Sequence, residues 1–134
     1  MDFFLGIDIG TSRVKAILFN HEFQAVCSAA ENTRPTMTAD GYAEQDMDQL
    51  WQSVVKILQQ IARWPELKPG TLKAIGLAGQ GEGVWLSDAD GNPVGPGILW
   101  SDTRSSKLMA ELLRQPDLDQ RLFAETGSQL QPCN

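Results

Sequence analysis

The sequence predicts an α/β fold that opens with a three-stranded antiparallel meander in a mixed sheet and carries flanking helices. Three observations predict it. Two short apolar runs, Phe3–Ile9 and Val14–Phe19, are separated only by Gly10-Thr11-Ser12, and a second turn signal, Asn20-His21-Glu22, precedes a third run from Phe23 to Ala30. Leu50, Trp51, Val54, Val55, Leu58, Ile61 and Ala62 then recur on one face at helical spacing. A further apolar run, Leu72–Ala78, supplies another strand. A doubly wound dinucleotide fold would begin β-α-β, and the direct return of the first strand into a second excludes it.

Each element has a local reason. Phe3–Ile9 is rich in Phe and Ile, is broken by Asp8, and reads as a largely buried strand. Glu31 to Gly41 is polar and holds Pro35, which suits an extended connection ending in Tyr42-Ala43-Glu44. Asp46 is placed as the N-cap of the helix, with Gln49 three positions on, and Pro65 stops it. Trp51 falls on the apolar stripe and is expected in the core, whereas Trp64 is expected as a helix-end contact. Leu72–Ala78 predicts a buried strand, followed by the loop Gly79-Gln80-Gly81-Glu82-Gly83 and a further strand over Val84–Ser87. Asp88 to Pro93 is dense in turn residues. After Ile98-Leu99-Trp100 a helix is predicted from Ser101 or Asp102, with Leu108, Met109, Leu112 and Leu113 inward and Pro116 at its end. A last helix from about Asp119 carries Leu122 and Phe123, and Gly127 closes it.

Composition bounds the setting. At 134 residues, 42% apolar and 21% charged, the chain has the make-up of an ordinary globule with material for one core. A net charge of −6 opposes long-range attraction to nucleic acid or anionic membrane, so neither is an expected partner, and a phosphate-rich ligand needs a local site. Cys27 and Cys133 form no metal or redox motif. The apolar start is short and lacks a basic flank, and no stretch approaches the ~18 apolar residues of a membrane span. A soluble, cytoplasmic protein is expected.

Three segments could carry chemistry. Asp8 ends a buried run and is followed by Gly10, Thr11 and Ser12, a turn whose N–H groups and hydroxyls suit a phosphate, with the carboxylate available to Mg²⁺ and Lys15 one strand step on. The same residues equally suit a plain hairpin turn. Gly79–Gly83 is not followed by a helix, and G-x-x-x-x-G-K-[ST] is absent, so neither a Rossmann nor a P-loop reading holds. Backbone bared by glycine would instead let a small ligand approach, with Gln80 and Glu82 as hydrogen-bonding groups; a solvated bend is the plainer alternative. Trp100, Asp102 and Arg104 offer an apolar wall for sugar C–H groups and charged partners for hydroxyls, or else a core indole beside a helix cap.

The order of these segments is more specific than any one of them. Gly6-Ile-Asp8-Ile-Gly10-Thr11-Ser12-Arg-Val-Lys15, then Tyr42-Ala-Glu44-Gln-Asp46 before the Trp51 helix, then Ala74-Ile-Gly76-Leu-Ala-Gly79-Gln80, then Ile98-Leu-Trp100-Ser-Asp102-Thr-Arg104 resembles the N-terminal region of the FGGY carbohydrate kinases, xylulokinase-like and polyol-kinase-like members above all. The resemblance implies an actin-like, ribonuclease H-like fold of two domains, with the sugar and Mg-ATP meeting between them. It places Asp8 near Mg²⁺ and the transferring phosphoryl, Gly10, Thr11, Ser12 and Lys15 at the phosphates, and Gln80, Gly81, Glu82, Trp100, Asp102 and Arg104 at the sugar. ATP and Mg²⁺ are the implied cofactors, and a sugar (pentulose) or polyol the implied partner.

Two departures sharpen the expectation. Xylulokinases carry Gln-Met-His-Gly and glycerol kinases Asn-Gln-Arg-Glu where this chain has Gln80-Gly81-Glu82-Gly83, so a differently shaped or larger substrate is implied. Family members also continue much further, so residues 1–134 correspond to the N-terminal, sugar-side part of the first domain, without its remainder, the catalytic base or the ATP-binding domain. Such a piece alone is expected to be inactive, to leave apolar surface uncovered on its last helix and strands, and to self-associate. Two other classes share the predicted start. One is a ribonuclease H-like nuclease using Asp8 with Glu44 or Asp46, which the acidic charge opposes; the other is a non-catalytic sugar-sensing module.

Overall fold

The computed structural model describes residues 1–132. In chain order the elements are β1 (Phe3–Ile9), β2 (Arg13–Phe19), β3 (Ala25–Asn32), β4 (Thr36–Met37), β5 (Ala43–Gln45), α1 (Met47–Ile61), β6 (Leu72–Gly79), β7 (Gly97–Ile98), α2 (Ser106–Leu112) and α3 (Leu118–Thr126). They form two compact units, one built from residues 1–35 and 46–80, the other from 36–45 and the chain from Gly81 onward.

The first unit holds a four-stranded sheet in the order β3-β2-β1-β6. β1 runs antiparallel to β2 and β2 to β3, which is the predicted meander, while β6 joins β1 in parallel and makes the sheet mixed. Alternation sorts the side chains. Phe3, Leu5 and Ile7 of β1 and Val14, Ala16 and Leu18 of β2 point to one face, where Val54, Ile57 and Ile61 of α1 cover them. Asp46 caps α1 as expected, its Oδ1 accepting from Gln49 N at 2.9 Å. The β2–β3 turn is built on buried Asn20, whose Oδ1 accepts from Glu22 N and Gln24 N. That turn takes Phe23 into the left-handed region at φ 58°, so β3 starts two residues later than the sequence suggested; Phe23 stacks on Phe4 with ring centroids 5.3 Å apart.

Two core assignments are corrected here. α1 rests on β2 and β3 with Val54, Ile57 and Ile61 at the centre of its buried arc, which leaves Trp51 on the flank and 59% exposed. β6 lies beyond the reach of α1 at the sheet edge, so the predicted buried strand is instead open, with Ile75 exposed and Leu77 70% exposed.

The second unit contains a three-stranded sheet, β4-β5-β7. Val84–Ser87 does not form the predicted strand; it makes only the isolated bridges Val84–Ile98 and Ser87–Pro93. The turn between them is the predicted one, with Asp88 Oδ1 accepting from the N–H groups of Asp90 and Asn92, which holds its carboxyl below the usual range, the Asn92 N–H first. α2 begins at Ser106 rather than at Ser101 or Asp102, because residues 102–105 are held in a turn by contacts described below. Leu108 and Leu113 of the expected inward face are exposed, as is Phe123 on α3, which Gly127 ends in the left-handed conformation. Among the described residues no helix is long and apolar enough to cross a membrane.

The burial pattern predicts that Ile57→Ala costs about 2–5 kcal/mol. Trp51→Ala, at an exposed flank, should stay within about 0.5 kcal/mol. Urea unfolding of the two variants checks the contrast, and a larger loss for Trp51 would overturn the core assignment.

Candidate functional site

The first cluster grows from the end of β1. Register puts Asp8 opposite Lys15 on the sheet face away from α1, where Lys15 Nζ lies 3.8 Å from Asp8 Oδ2. Both side chains are about half exposed, so the pair contributes little stability and both groups can turn to a ligand. Gly10 closes the turn by donating its N–H to Arg13 O at 3.0 Å; a Cβ at Gly10 would stand only 3.0 Å from that oxygen, which is why glycine occupies the position.

Two more distant residues hold the turn. Thr33, just after β3, donates its hydroxyl to Thr11 O at 2.5 Å and its N–H to Ser12 O at 3.0 Å. Nothing in the local sequence marks Thr33, since only the β2–β3 register brings it there. Gln80 approaches from the other side. Because β6 is parallel to β1, both strands end at the same edge, and Gln80 donates its N–H to Ile9 O at 3.1 Å while Thr11 Oγ1 donates to Gln80 Oε1 at 2.6 Å.

The second cluster lies within the second unit. The glycines of the 79–83 loop have different reasons. A Cβ at Gly83 would meet Trp85 Nε1 at 2.6 Å and one at buried Gly97 would meet the same indole at 2.4 Å, so these two are bare to seat Trp85, not to admit a ligand. Gly81 faces open space, and the exposed Glu82 takes φ 59°, a conformation costing a non-glycine residue about 1–2 kcal/mol. Trp100 follows buried Leu99 and is 51% exposed, not a core indole.

Asp102 has a fully engaged carboxylate and is only 3% exposed. Its Oδ1 accepts from Arg104 N at 2.9 Å and Nε at 2.8 Å, and its Oδ2 accepts from Ala43 N at 2.7 Å and an Arg104 terminal NH₂ at 2.9 Å. The guanidinium also donates to Glu44 Oε1 at 2.6 Å and lies 4.5 Å from the centroid of the Tyr42 ring. Hydrogen bonding from Arg104 holds the Asp102 carboxyl down at about 2 against the opposing effect of burial, and Asp102, then Glu44, push the guanidinium further up. Thr103 completes the tie, its N–H and hydroxyl both donating to Gly41 O. The carboxylate that reads as a sugar ligand in the sequence thus anchors the turn after Trp100 to the strand bearing Glu44.

Asp8 offers one exposed carboxylate beside hydroxyls, which suits Mg²⁺, an ion commonly held by one or two carboxylates together with substrate phosphates. No cluster of three or more His, Cys, Asp or Glu suited to a metal exists among the described residues. The second carboxylates that a two-metal nuclease would need are engaged, Asp46 on the N-terminus of α1 and Glu44 on Arg104.

The sequence model described as "FGGY family of carbohydrate kinases, N-terminal domain" matches residues 3–134. The chain belongs to this family. It is 35% identical over 130 residues to a probable L-xylulose kinase of Pasteurella multocida, covering 97% of this chain and 27% of that protein. It is 34% identical to an erythritol kinase of Brucella abortus, covering 98% and 25%. A crystal structure of a xylulose-type kinase ("xyloylose kinase") from Brucella ovis superposes with TM-score 0.85 at 33% identity, over 98% of this chain and 27% of that one. The chain therefore spans about a quarter of the length of these relatives and has part of the actin-like ATPase fold of the FGGY kinases.

Asp102 makes acid stability a test of its anchoring. Its folded pKa of about 2 lies below the ordinary value near 3.9, so its stabilising contribution is complete above about pH 4 and is lost as pH falls through about 2. Thermal melts from pH 6 to pH 2 should show a steeper acid loss in the wild type than in Asp102→Asn; equal slopes would refute the anchor. Gly97→Ala should displace Trp85 and shift the indole fluorescence, whereas Gly81→Ala should leave it unmoved.

Proposed function

We propose that this chain is the N-terminal, sugar-side part of the first domain of an ATP-dependent carbohydrate kinase that transfers the γ-phosphoryl of ATP to a hydroxyl of a pentulose or related polyol. The observation that carries the reading is the Gly10–Ser12 turn, held from both sides by Thr33 and Gln80 and flanked by the Asp8–Lys15 pair. Phosphoryl transfer asks a protein mainly for positioning and charge stabilisation, and a buttressed turn of N–H groups and hydroxyls serves both. The hydroxyls of Thr11 and Ser12, with the N–H groups that follow Gly10, hold phosphate oxygens, Gly10 keeps the turn closed through its own N–H to Arg13 O, and Lys15 offsets the phosphate charge. Asp8 would hold Mg²⁺, directly or through water, and the ion would supply charge neutralisation at the phosphates.

The sugar falls to Gln80, the open backbone at Gly81, Glu82 and the indole of Trp100. Glu82 keeps a strained backbone although glycine flanks it on both sides, which is explained if its carboxylate is needed for hydroxyls. Asp102 and Arg104 act one step back, holding the turn that follows Trp100. The base toward the sugar hydroxyl and the adenosine site lie in the remainder of the longer protein, and residues 1–134 alone do not turn over. The cytoplasm is the proposed location, and the exposed apolar surface of β6 and α3 the proposed reason for any self-association.

A coupled ADP-release assay with L-xylulose, D-xylulose, erythritol and glycerol tests the reading on the full-length gene product and on residues 1–134. Turnover is expected only in the full-length protein, with Asp8→Asn lowering kcat by about 100-fold or more. Glu82→Ala should act mainly on the KM of the sugar. Absence of ADP release with every acceptor would overturn the kinase reading, and turnover by residues 1–134 would overturn the assignment of the base elsewhere.

A further inference from the structure

The Thr11 and Ser12 carbonyls both accept from one residue. Thr33 donates its hydroxyl to Thr11 O at 2.5 Å and its N–H to Ser12 O at 3.0 Å. A trans peptide is planar with its C=O and N–H directed oppositely, so the direction of each carbonyl fixes that of the next residue's N–H. Holding Thr11 O and Ser12 O therefore aims the N–H groups of Ser12 and Arg13 away from Thr33. The sheet order β3-β2-β1-β6 gives that direction a meaning. Thr33 stands just after β3, so both N–H groups are aimed to the β1 side of the turn, the side that carries Asp8 and, after β6, Gln80.

We propose that Thr33 is a positioning residue for phosphate: by fixing two carbonyls on the β3 side it presents the N–H groups of Ser12 and Arg13 together to one phosphoryl group. The inference rests on the kinase reading above and adds to it the Arg13 N–H and a residue outside the turn. An anion makes such fixing necessary. A peptide that turned over would offer its carbonyl oxygen in place of its N–H, and a partial negative charge would then face the phosphate. Turning the Thr11–Ser12 peptide breaks the hydroxyl bond of Thr33, and turning the Ser12–Arg13 peptide breaks its N–H bond. The N–H bond continues the β2–β3 register, and any residue but proline could make it. The hydroxyl bond needs a short side chain that carries a donor, so the side chain at position 33 selects the arrangement. Thr33 is partly buried while Ser12 is exposed, which sets the support into the protein and leaves the residue it holds open to a ligand.

The test compares Thr33→Val, which keeps the shape and loses the donor, with Thr33→Ser, which keeps the donor, in the full-length protein. Calorimetry with Mg²⁺ and β,γ-methylene-ATP should show a Kd raised about fivefold in Thr33→Val, the net effect of one hydrogen bond, and within twofold of wild type in Thr33→Ser. The KM of the best acceptor among L-xylulose, D-xylulose, erythritol and glycerol should stay within twofold in both. Amide hydrogen exchange on the wild type reads the geometry without any substitution: the Ser12 and Arg13 N–H groups should both gain protection when the analogue is bound. A merely structural bond would lower the melting temperature of Thr33→Val and leave its nucleotide Kd within twofold of wild type. That result, an equal rise in the sugar KM, the same loss in Thr33→Ser, or unchanged exchange at either amide would overturn the role of Thr33 while ADP release by the wild type still upheld the kinase. A wild type that releases no ADP with any acceptor would overturn both.

Discussion

The parallel pairing of β1 with β6 is the constraint on which the site depends. β1 is hydrogen-bonded along both sides, to β2 and to β6, so its register is set twice over. An antiparallel partner would have delivered the next loop to the opposite edge. A parallel one brings the chain after β6 to the edge where Asp8 and the Gly10–Ser12 turn already stand, the edge at which sheets with parallel strands commonly bind ligands. Gly6 and Gly76 face each other in that register, and Ala74 and Ala78 flank them, so the face bearing Asp8 and Lys15 is shallow and open along this seam.

Within the second unit one buried carboxylate has a comparable organising role. Asp102 uses both oxygens on protein donors, and Arg104 passes the tie on to Glu44 and Tyr42. Such a buried, saturated network specifies a geometry more than it adds stability, because desolvation offsets much of the attraction between the charges. Its result is local: the turn that follows Trp100 is set against β5 by charge-assisted bonds, next to the buried Leu99 and Ala43. Trp85, seated over two bare glycines, performs the same task by shape.

Much of this was legible in the sequence where neighbours along the chain decide the outcome. The meander, the Asp46 cap, the Asp88 turn and the Gly127 stop all rest on local chemistry, and they stand where the residues put them. What the sequence could not show depends on partners distant along the chain. Trp51 and Leu77 look like core residues by periodicity, yet their exposure is set by which strands α1 covers. Asp102 looks like a helix cap or a ligand, and Ala43, 59 positions earlier, makes it an anchor. The site follows the same division. Its residue types and their order were readable and carried the family resemblance, whereas the roles of Thr33, of Gly83 and of the Gln80 carbonyl required register.

The distance along the chain between β1 and β6 also orders events in time. The hairpin of β1 and β2, a local structure, can close as soon as its turn has been synthesised, on the microsecond scale of such elements. Its third support, Gln80, lies 69 positions after Thr11 and does not exist until that much more chain has left the ribosome, a matter of seconds at usual rates of synthesis. During that interval the nascent chain carries a formed turn whose Thr11 hydroxyl has yet to meet Gln80, and β1 has a vacant edge awaiting its parallel partner. A free edge of that kind invites wrong pairing, and the helix α1, made in between, packs on one face of the strands and offers β1 no edge partner.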